Sequence, residues 1–322
     1  MKPYRIIFLG TPNFALPSLK ALVESQNKAI EVIGVVTQPD RPKGRGKKLI
    51  PPPIKIMAQK YCLPLYQPQT VKDKTFLTNI KELAPDLLVV VAFGQFLPRT
   101  LLEIPYLGGI NVHPSLLPKY RGAAPINWAI ICGEIKTGIT IMKLSTKMDS
   151  GDILLQRAIP IKAEETAGEL HDKLAQLGAE MLLETIYQMK LGTISSIAQN
   201  DSLASYAPKL KKEDALIHWD MPAYAIGNLI RGLDPLPGAT TYLEGKLLKL
   251  FHPKTKLFTS SDLPPGSITQ ITPEGIQVAT GRGLILIREV KLEGRKRLSV
   301  KEFIKGYHNL KGKRLAMKQN ER

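Results

Sequence analysis

Asn111 and His113 stand two residues apart near the end of an apolar run that starts at Tyr106, and Pro114 follows at once. Proline has no N–H to give to a sheet ladder, so a strand through Ile110 and Val112 stops there. On a strand, residues two apart point to the same face, which sets an amide beside an imidazole. Such a pair can donate hydrogen bonds to a carbonyl oxygen that becomes an oxyanion. It can also be a strand end with a capping Asn and a structural His, the commoner use of each residue taken alone. The residues that follow, Ser115-Leu-Leu-Pro118 closed by Gly122, read as a shaped loop rather than a generic turn, which favours chemistry.

An acid is available downstream. In Ser145-Thr-Lys-Met-Asp-Ser-Gly-Asp-Ile-Leu154, Asp149 and Asp152 sit in a turn to which Gly151 gives backbone freedom. Asp149 either closes an Asx-turn on its own backbone or supplies the carboxylate that orients His113. Histidines occur at 113, 171, 218, 252 and 308 with no ligand spacing such as His-Glu-x-x-His, so no metal is expected.

A third candidate is residues 37–53, too long for an ordinary connection between a strand and a helix. It carries Arg41, Lys43, Arg45, Lys47 and Lys48 with no acid after Asp40, and Gly44 and Gly46 let the backbone bend. Gly-Arg-Gly-Lys-Lys lacks the glycine spacing and the Ser/Thr of a Walker A loop. One reading is a solvated arm. The favoured one is a functional loop whose Lys and Arg side chains neutralise phosphates.

These groups need a scaffold, and the flanking pattern describes one. Residues 4–9 are a β-rich run ending at Gly10; residues 31–36 and 86–91 are further strands. Helical patterns lie between them, at 54–60 and 71–83. Strands alternating with helices imply a doubly wound, Rossmann-like α/β sheet. Gly10-Thr-Pro-Asn-Phe14 is not Gly-x-Gly-x-x-Gly, so a dinucleotide site is not supported. Residues 124–132 read as a helix and 136–143 as a strand. Thr166 opens a long helix with Glu169 in capping-box position, and its stripe of Leu170, Leu174, Leu177, Met181 and Ile186 is core, with His171 structural. Residues 191–208 read as a polar linker. Beyond it come a helix around Ala225–Ile230 with Asp220 as its cap, short β-runs divided by turns at 243–246, 272–275 and 281–283, and a last helix at about 299–305. That pattern implies a small OB-like antiparallel barrel.

With 322 residues the chain has room for two domains, and its 43% hydrophobic content is ordinary for a globular protein. Two cysteines, Cys62 and Cys132, make no disulfide framework and fit a reducing compartment. The first apolar run is too short for a secretory signal and no stretch approaches a membrane span, so a cytoplasmic protein without membrane contact, with a monomer favoured, is expected. Net charge is +17, and residues 208–322, with 21 basic and 11 acidic side chains, carry +10 of it. Such an excess favours a polyanionic partner, or is simply a solvated basic surface.

Together these residues resemble the folate-dependent formyltransferase family, and within it the members acting on charged tRNA. The likeness covers nearly the whole chain: Phe8-Leu-Gly-Thr-Pro-Asn-Phe-Ala15, the basic loop, Asn111-Val-His113-Pro-Ser-Leu-Leu-Pro118, Met148-Asp-Ser-Gly-Asp152 and Ile230-Arg-Gly-Leu-Asp-Pro-Leu-Pro-Gly-Ala239. Leu236 departs from it, since relatives often carry an aromatic between the two prolines. The resemblance implies 10-formyltetrahydrofolate as formyl donor and the α-amino group of methionine on charged initiator tRNA as acceptor, for translation initiation. It implies Asn111, His113 and Asp149 as catalytic residues and Ser115, Leu116, Leu117 and Pro118 as the folate-binding segment. It also implies that this basic insertion reads the weak first pair of the acceptor stem, with Arg41 expected to serve recognition and Lys43, Arg45, Lys47 and Lys48 expected mainly to contact tRNA phosphates. The domains expected are a folate-binding catalytic domain at 1–190, a linker at 191–208, and an OB-like tRNA-binding domain with a basic tail at 209–322. Two other classes remain. A formyltransferase acting on a sugar nucleotide or other small amine would share the triad but needs neither the basic loop nor the charge. A non-catalytic tRNA-binding protein would not need the triad.

Overall fold

The structure is a computed structural model that describes residues 2–26, 29–43, 46, 48–256, 262–307 and 310–317. The chain divides into two compact units. One holds Met1–Gly122, Thr137–Ile159 and His171–Tyr206; the other holds Ala123–Lys136, Pro160–Leu170 and Ala207–Arg322.

The first part of the chain alternates strand and helix: β1 (Tyr4–Gly10), α1 (Leu16–Glu24), β2 (Ile30–Val36), a small hairpin of β3 (Arg41–Lys43) and β4 (Lys48–Ile50), α2 (Pro53–Lys60), β5 (Leu65–Tyr66), α3 (Lys74–Glu82), β6 (Leu87–Val91), α4 (Arg99–Leu102) and β7 (Gly109–His113). After the short β8 (Arg121–Gly122) and α5 (Pro125–Ile131) come β9 (Lys136–Lys143), β10 (Ile153–Pro160) and the long α6 (Ala167–Leu191). The main sheet runs in the order β10-β9-β7-β6-β1-β2-β5. β1 pairs in parallel with β2 and β6, β6 with β7, and β2 with β5, while β9 lies antiparallel to β7. Residues 6–9 and 87–91 are buried along their whole length, as expected of central strands covered on both faces.

The α6 stripe explains which way the chemistry points. Gly178 on α6 lies against Val112 and Ile139, where a Cβ would meet Val112 Cγ1 at 2.8 Å. Val112 therefore faces the helix, and the two-residue period sends Asn111 and His113 to the opposite face. The capping box at the start of α6 forms as its sequence predicts: the Thr166 N–H donates to Glu169 Oε2 at 2.8 Å, and the Glu169 N–H donates to Thr166 Oγ1 at 3.3 Å. His171 is part-exposed, edge-on to Phe14 and bonded to Asp172.

The later chain folds as β11 (Tyr206–Ala207), α7 (Ala223–Gly232), β12 (Ala239–Leu243), β13 (Lys246–Lys256), β14 (Ile268–Thr272), β15 (Gly275–Ala279), β16 (Leu284–Leu292), β17 (Leu298–Ser299) and α8 (Val300–Phe303). Strands β12-β13-β16-β15-β14 are neighbours in that order, and the pairings given between them are antiparallel. The β12–β13 turn puts Glu244 and Gly245 at φ +50° and +76°, the geometry of a tight two-residue hairpin. The segment 312–316 then closes the barrel. Its backbone pairs with Gly266 just before β14, with Ile268 at the start of β14 and with Tyr242 of β12, and Leu315 fills the core. The expected OB-like barrel is thus closed partly by chain that reads as tail.

One expectation fails locally. Asp220 does not cap α7, which starts after Pro222. Trp219 and Met221 instead offer their carbonyls to the Gly281 N–H, and the Ala223 N–H donates to Arg282 O, which holds the stretch extended against the barrel turn.

Candidate active site

Parallel pairing brings the carboxyl ends of β1, β6 and β7 to one edge of the sheet, where Gly10 pairs with Val91 and Val90 with Asn111. This is the edge at which open α/β sheets bind ligands. His113 ends β7 and is only 4% exposed. Its Nε2 lies 3.0 Å from the Tyr120 carbonyl, and its Nδ1 lies 3.7 Å from Asp149 Oδ2. Both ring nitrogens thus face oxygen atoms of the surrounding loops.

Asp149 reaches this place by a fold-back. β9 runs antiparallel to β7, and Leu144 leaves it with its N–H on Gly109 O at 2.7 Å. The connection returns through a tight turn in which Gly151 lies on Lys143. A Cβ at Gly151 would sit 1.9 Å from the Lys143 carbonyl oxygen, so only glycine fits. Asp149 itself has φ +47°, and Tyr120 has φ +61°. Both non-glycine residues occupy the left-handed region, which surrounding structure must enforce. Asp149 Oδ2 also accepts the Gly122 N–H at 2.8 Å. The backbone of residues 120–122 therefore touches both His113 and Asp149.

Asn111 shares the His113 face and is part-exposed, and among the described residues its side-chain amide makes no hydrogen bond. The expected folate segment leads away from His113 as a rigid loop. Ser115 is buried, its hydroxyl donating to Lys119 O at 2.7 Å. The Thr140 hydroxyl donates to Ser115 O at 2.7 Å and accepts the Leu117 N–H at 3.2 Å. The Gln156 amide donates to Leu117 O at 3.0 Å and to Thr140 Oγ1 at 2.8 Å. Leu117 points inward, while Leu116 and Pro118 stay partly exposed. The inward polar groups of the loop are spent on its own shape.

The basic segment is a hairpin, with Arg41 paired to Ile50 and Lys43 to Lys48. Arg41 and Lys48 are exposed, whereas Arg45 and Lys47 lie outside the described residues. The base of the hairpin is fixed. Asp40 accepts from Lys55 at 2.7 Å and from Gln67 at 2.8 Å, and those two hydrogen bonds, Gln67's first, hold its carboxyl below the usual carboxylate range. The Arg41 guanidinium donates to Gln38 at 3.2 Å, and the Gln38 amide donates to the Phe93 carbonyl at 3.4 Å. Phe93 follows β6, so the arm rises from the edge that carries Asn111 and His113.

Residues 191–208 contribute more than a connection. Ile197 and Ile153 exchange backbone hydrogen bonds at 2.8 and 2.9 Å, and Gln199 bonds to Arg121 and to the Asp149 turn. Sequence reasoning missed Gln199 because it sits in a run of small polar residues with no periodicity. It missed the roles of Tyr120 and Gly122 because backbone groups leave no signature in residue type.

Among the described residues no group of three or more His, Cys, Asp or Glu side chains could hold a metal ion, and no helix is long and apolar enough to cross a membrane.

Residues 4–186 match the formyl transferase family, and residues 209–308 match the family described as formyl transferase, C-terminal domain. A methionyl-tRNA formyltransferase of Syntrophus aciditrophicus is 50% identical over 95% of this chain and 97% of its own length. One from Geobacter sulfurreducens is 51% identical over 98% of both. Among solved structures, HypX from Aquifex aeolicus in complex with tetrahydrofolic acid has a TM-score of 0.66 at 18% identity, over 96% of this chain and 48% of that one. An N-formyltransferase from Helicobacter canadensis, in complex with folinic acid and dTDP-3-aminofucose, has a TM-score of 0.66 at 18% identity, over 92% of this chain and all of that one. At such identity these two structures show the fold alone.

Proposed function

The chain belongs to the formyl transferase family, and within it to the methionyl-tRNA formyltransferases; from that premise we propose that it moves a formyl group from 10-formyltetrahydrofolate to the α-amino group of methionine on charged initiator tRNA, in the cytoplasm, for translation initiation. The observation that carries this reading is the near-full-length identity of about half with relatives of that name. The acceptor rests on it, because the triad by itself serves any amine.

The donor supplies a one-carbon amide whose carbonyl carbon accepts a nucleophile. The methionyl amine attacks that carbon, the bond to the folate nitrogen breaks, and the proton released from the amine passes to the leaving nitrogen. The free-standing Asn111 amide donates to the formyl oxygen as it gains charge, and so does the His113 ring once its Nε2 exchanges the Tyr120 carbonyl for the substrate. Asp149 holds His113 in position and, with it, relays the proton. An α-amine titrates near ~8, and esterification lowers that value, so enough of it is neutral without a strong base. The Ser115–Pro118 loop offers the donor a surface whose shape is fixed from within by Thr140 and Gln156. Arg41, Lys43, Arg45, Lys47 and Lys48 hold the acceptor end of the tRNA, Arg41 reading bases and the others mainly meeting phosphates.

An assay offering charged initiator tRNA and an amino-sugar nucleotide side by side, with one labelled formyl donor, tests the acceptor. Label on methionine supports the reading. Label on the sugar amine alone overturns it and restores the small-amine acceptor.

A further inference from the structure

The Asp149 turn is held open at an improbable backbone angle, and one side chain is committed to holding it. The Gln199 amide nitrogen donates to Asp149 O at 2.9 Å and to Gly151 O at 2.7 Å. Its carbonyl oxygen accepts from Arg121 Nε at 3.1 Å and from a second guanidinium nitrogen at 2.7 Å. The orientation of the amide is unambiguous, since two carbonyls require the NH2 and a guanidinium requires the oxygen. All four hydrogen-bonding positions of the side chain are used. Arg121 is buried to 5% side-chain exposure, and Asp201 accepts a further bond from it at 2.8 Å.

The segment around Gln199 touches both halves of the candidate site. Ile197 is paired to Ile153, at the far end of the Asp149 turn. Ser205 holds the other loop: its N–H donates to Pro118 O at 3.3 Å, its carbonyl accepts the Arg121 N–H at 2.8 Å, and its hydroxyl accepts the Tyr120 N–H at 3.0 Å. Tyr120 O in turn faces His113, and the Gly122 N–H faces Asp149. A closed circuit results, from His113 through residues 120–122 to Arg121, Gln199, the Asp149 turn and back to His113.

We propose that Gln199, fixed by Arg121, is a positioning residue for Asp149, and that residues 197–205 form a strap that sets the spacing between His113 and Asp149. Misplacing a catalytic group by about 1 Å can cost ~10²-fold in rate. Loss of the two Gln199 donors frees the turn to relax from its left-handed conformation and take the carboxylate away from the imidazole. The kinetic form of this inference rests on the formyl-transfer reading.

The test is a double-mutant cycle, with Gln199→Ala made in the wild type and in Asp149→Asn. In the wild type kcat should fall by roughly 10²-fold, with KM for the formyl donor little changed. In Asp149→Asn the same change should cost almost nothing more. Equal losses in both backgrounds, an effect confined to KM, or an unchanged kcat would overturn the proposal. If Gln199→Ala does not fold, Gln199→Glu serves in the same cycle, since it keeps the oxygen facing Arg121 and loses both donors. The nitrogen NMR signals of the His113 ring give a readout that needs no substrate. Gln199→Ala should move them in the wild type and leave them still in Asp149→Asn; signals unmoved in the wild type refute the strap even if the enzyme formylates charged tRNA. Absence of formyl transfer by the wild type would refute the functional reading, while these signals still decide for or against the strap.

Discussion

An amide placed to meet a developing oxyanion earns its effect only if nothing in the protein occupies it first. Asn111 meets that condition, being part-exposed beside His113 and making no hydrogen bond among the described residues. Asn111→Ala should lower kcat by about 10²–10³-fold, the usual cost of one such donor, with folate affinity nearly unchanged; parallel single-turnover and binding measurements separate the two. Thr140 works at one remove. It is fully buried and its hydroxyl joins Ser115, Leu117 and Gln156. Thr140→Val leaves those groups short of partners, a loss of about 1–3 kcal/mol. Chemical denaturation should show that loss, and folate binding should weaken more than kcat falls. At this scale the sequence announces side chains that carry chemistry at strand ends, as with Asn111 and His113. It is silent about the carbonyl of Tyr120, the N–H of Gly122 and the amide of Gln199, whose roles come from backbone turns that only the folded chain brings together.

At the scale of elements, the hairpin of β3 and β4 is the part most exposed to a test. Residue spacing marks 37–53 as an insertion and its charge marks it as basic, but the pairing of Arg41 with Ile50 is not visible in residues that carry no alternating pattern. Its base, tied by Asp40, Lys55 and Gln67, is stiff where it meets the sheet edge. Arg41→Leu should cut kcat/KM for charged initiator tRNA by ~10–100-fold, the equivalent of one good base contact. It should narrow discrimination against acceptor stems with a strong first pair, and leave folate binding intact. Lys48→Ala should instead weaken all tRNAs about equally. Steady-state kinetics on matched and mismatched tRNAs distinguish the two; normal kinetics for Arg41→Leu would reduce the arm to a solvated insertion. The strands β1, β6 and β7 are legible because β1 is a β-rich run ending at Gly10, β6 is apolar throughout and β7 stops before Pro114. The closure of the barrel by residues 312–316 is not, because Lys313 and Arg314 hide the pairing segment inside a basic tail.

For the whole molecule, the net charge of +17 and its concentration after residue 208 fit a partner made of phosphates. Binding of charged tRNA should therefore weaken linearly in log–log form with salt, at a slope of about −0.9 for each phosphate neutralised, as on duplex DNA. Filter binding between low and physiological salt measures it, and a flat dependence would argue against a phosphate-dominated interface. Long-range order is also where sequence reading stops short. Residues 123–136 and 160–170 group with the later part of the chain, and 191–206 with the earlier part, an interleaving that no composition shift betrays. A truncation after residue 190 would remove Gln199 and Ser205 along with the barrel.

The central claim joins one reaction to a site centred on His113, and a single-turnover transfer of labelled formyl groups to charged initiator tRNA tests both. The wild type should place the label on the methionine amine. His113→Ala should place essentially none there while still binding folate. A wild type that leaves methionine unlabelled, or a His113→Ala variant that labels it at close to the wild-type rate, would contradict the account.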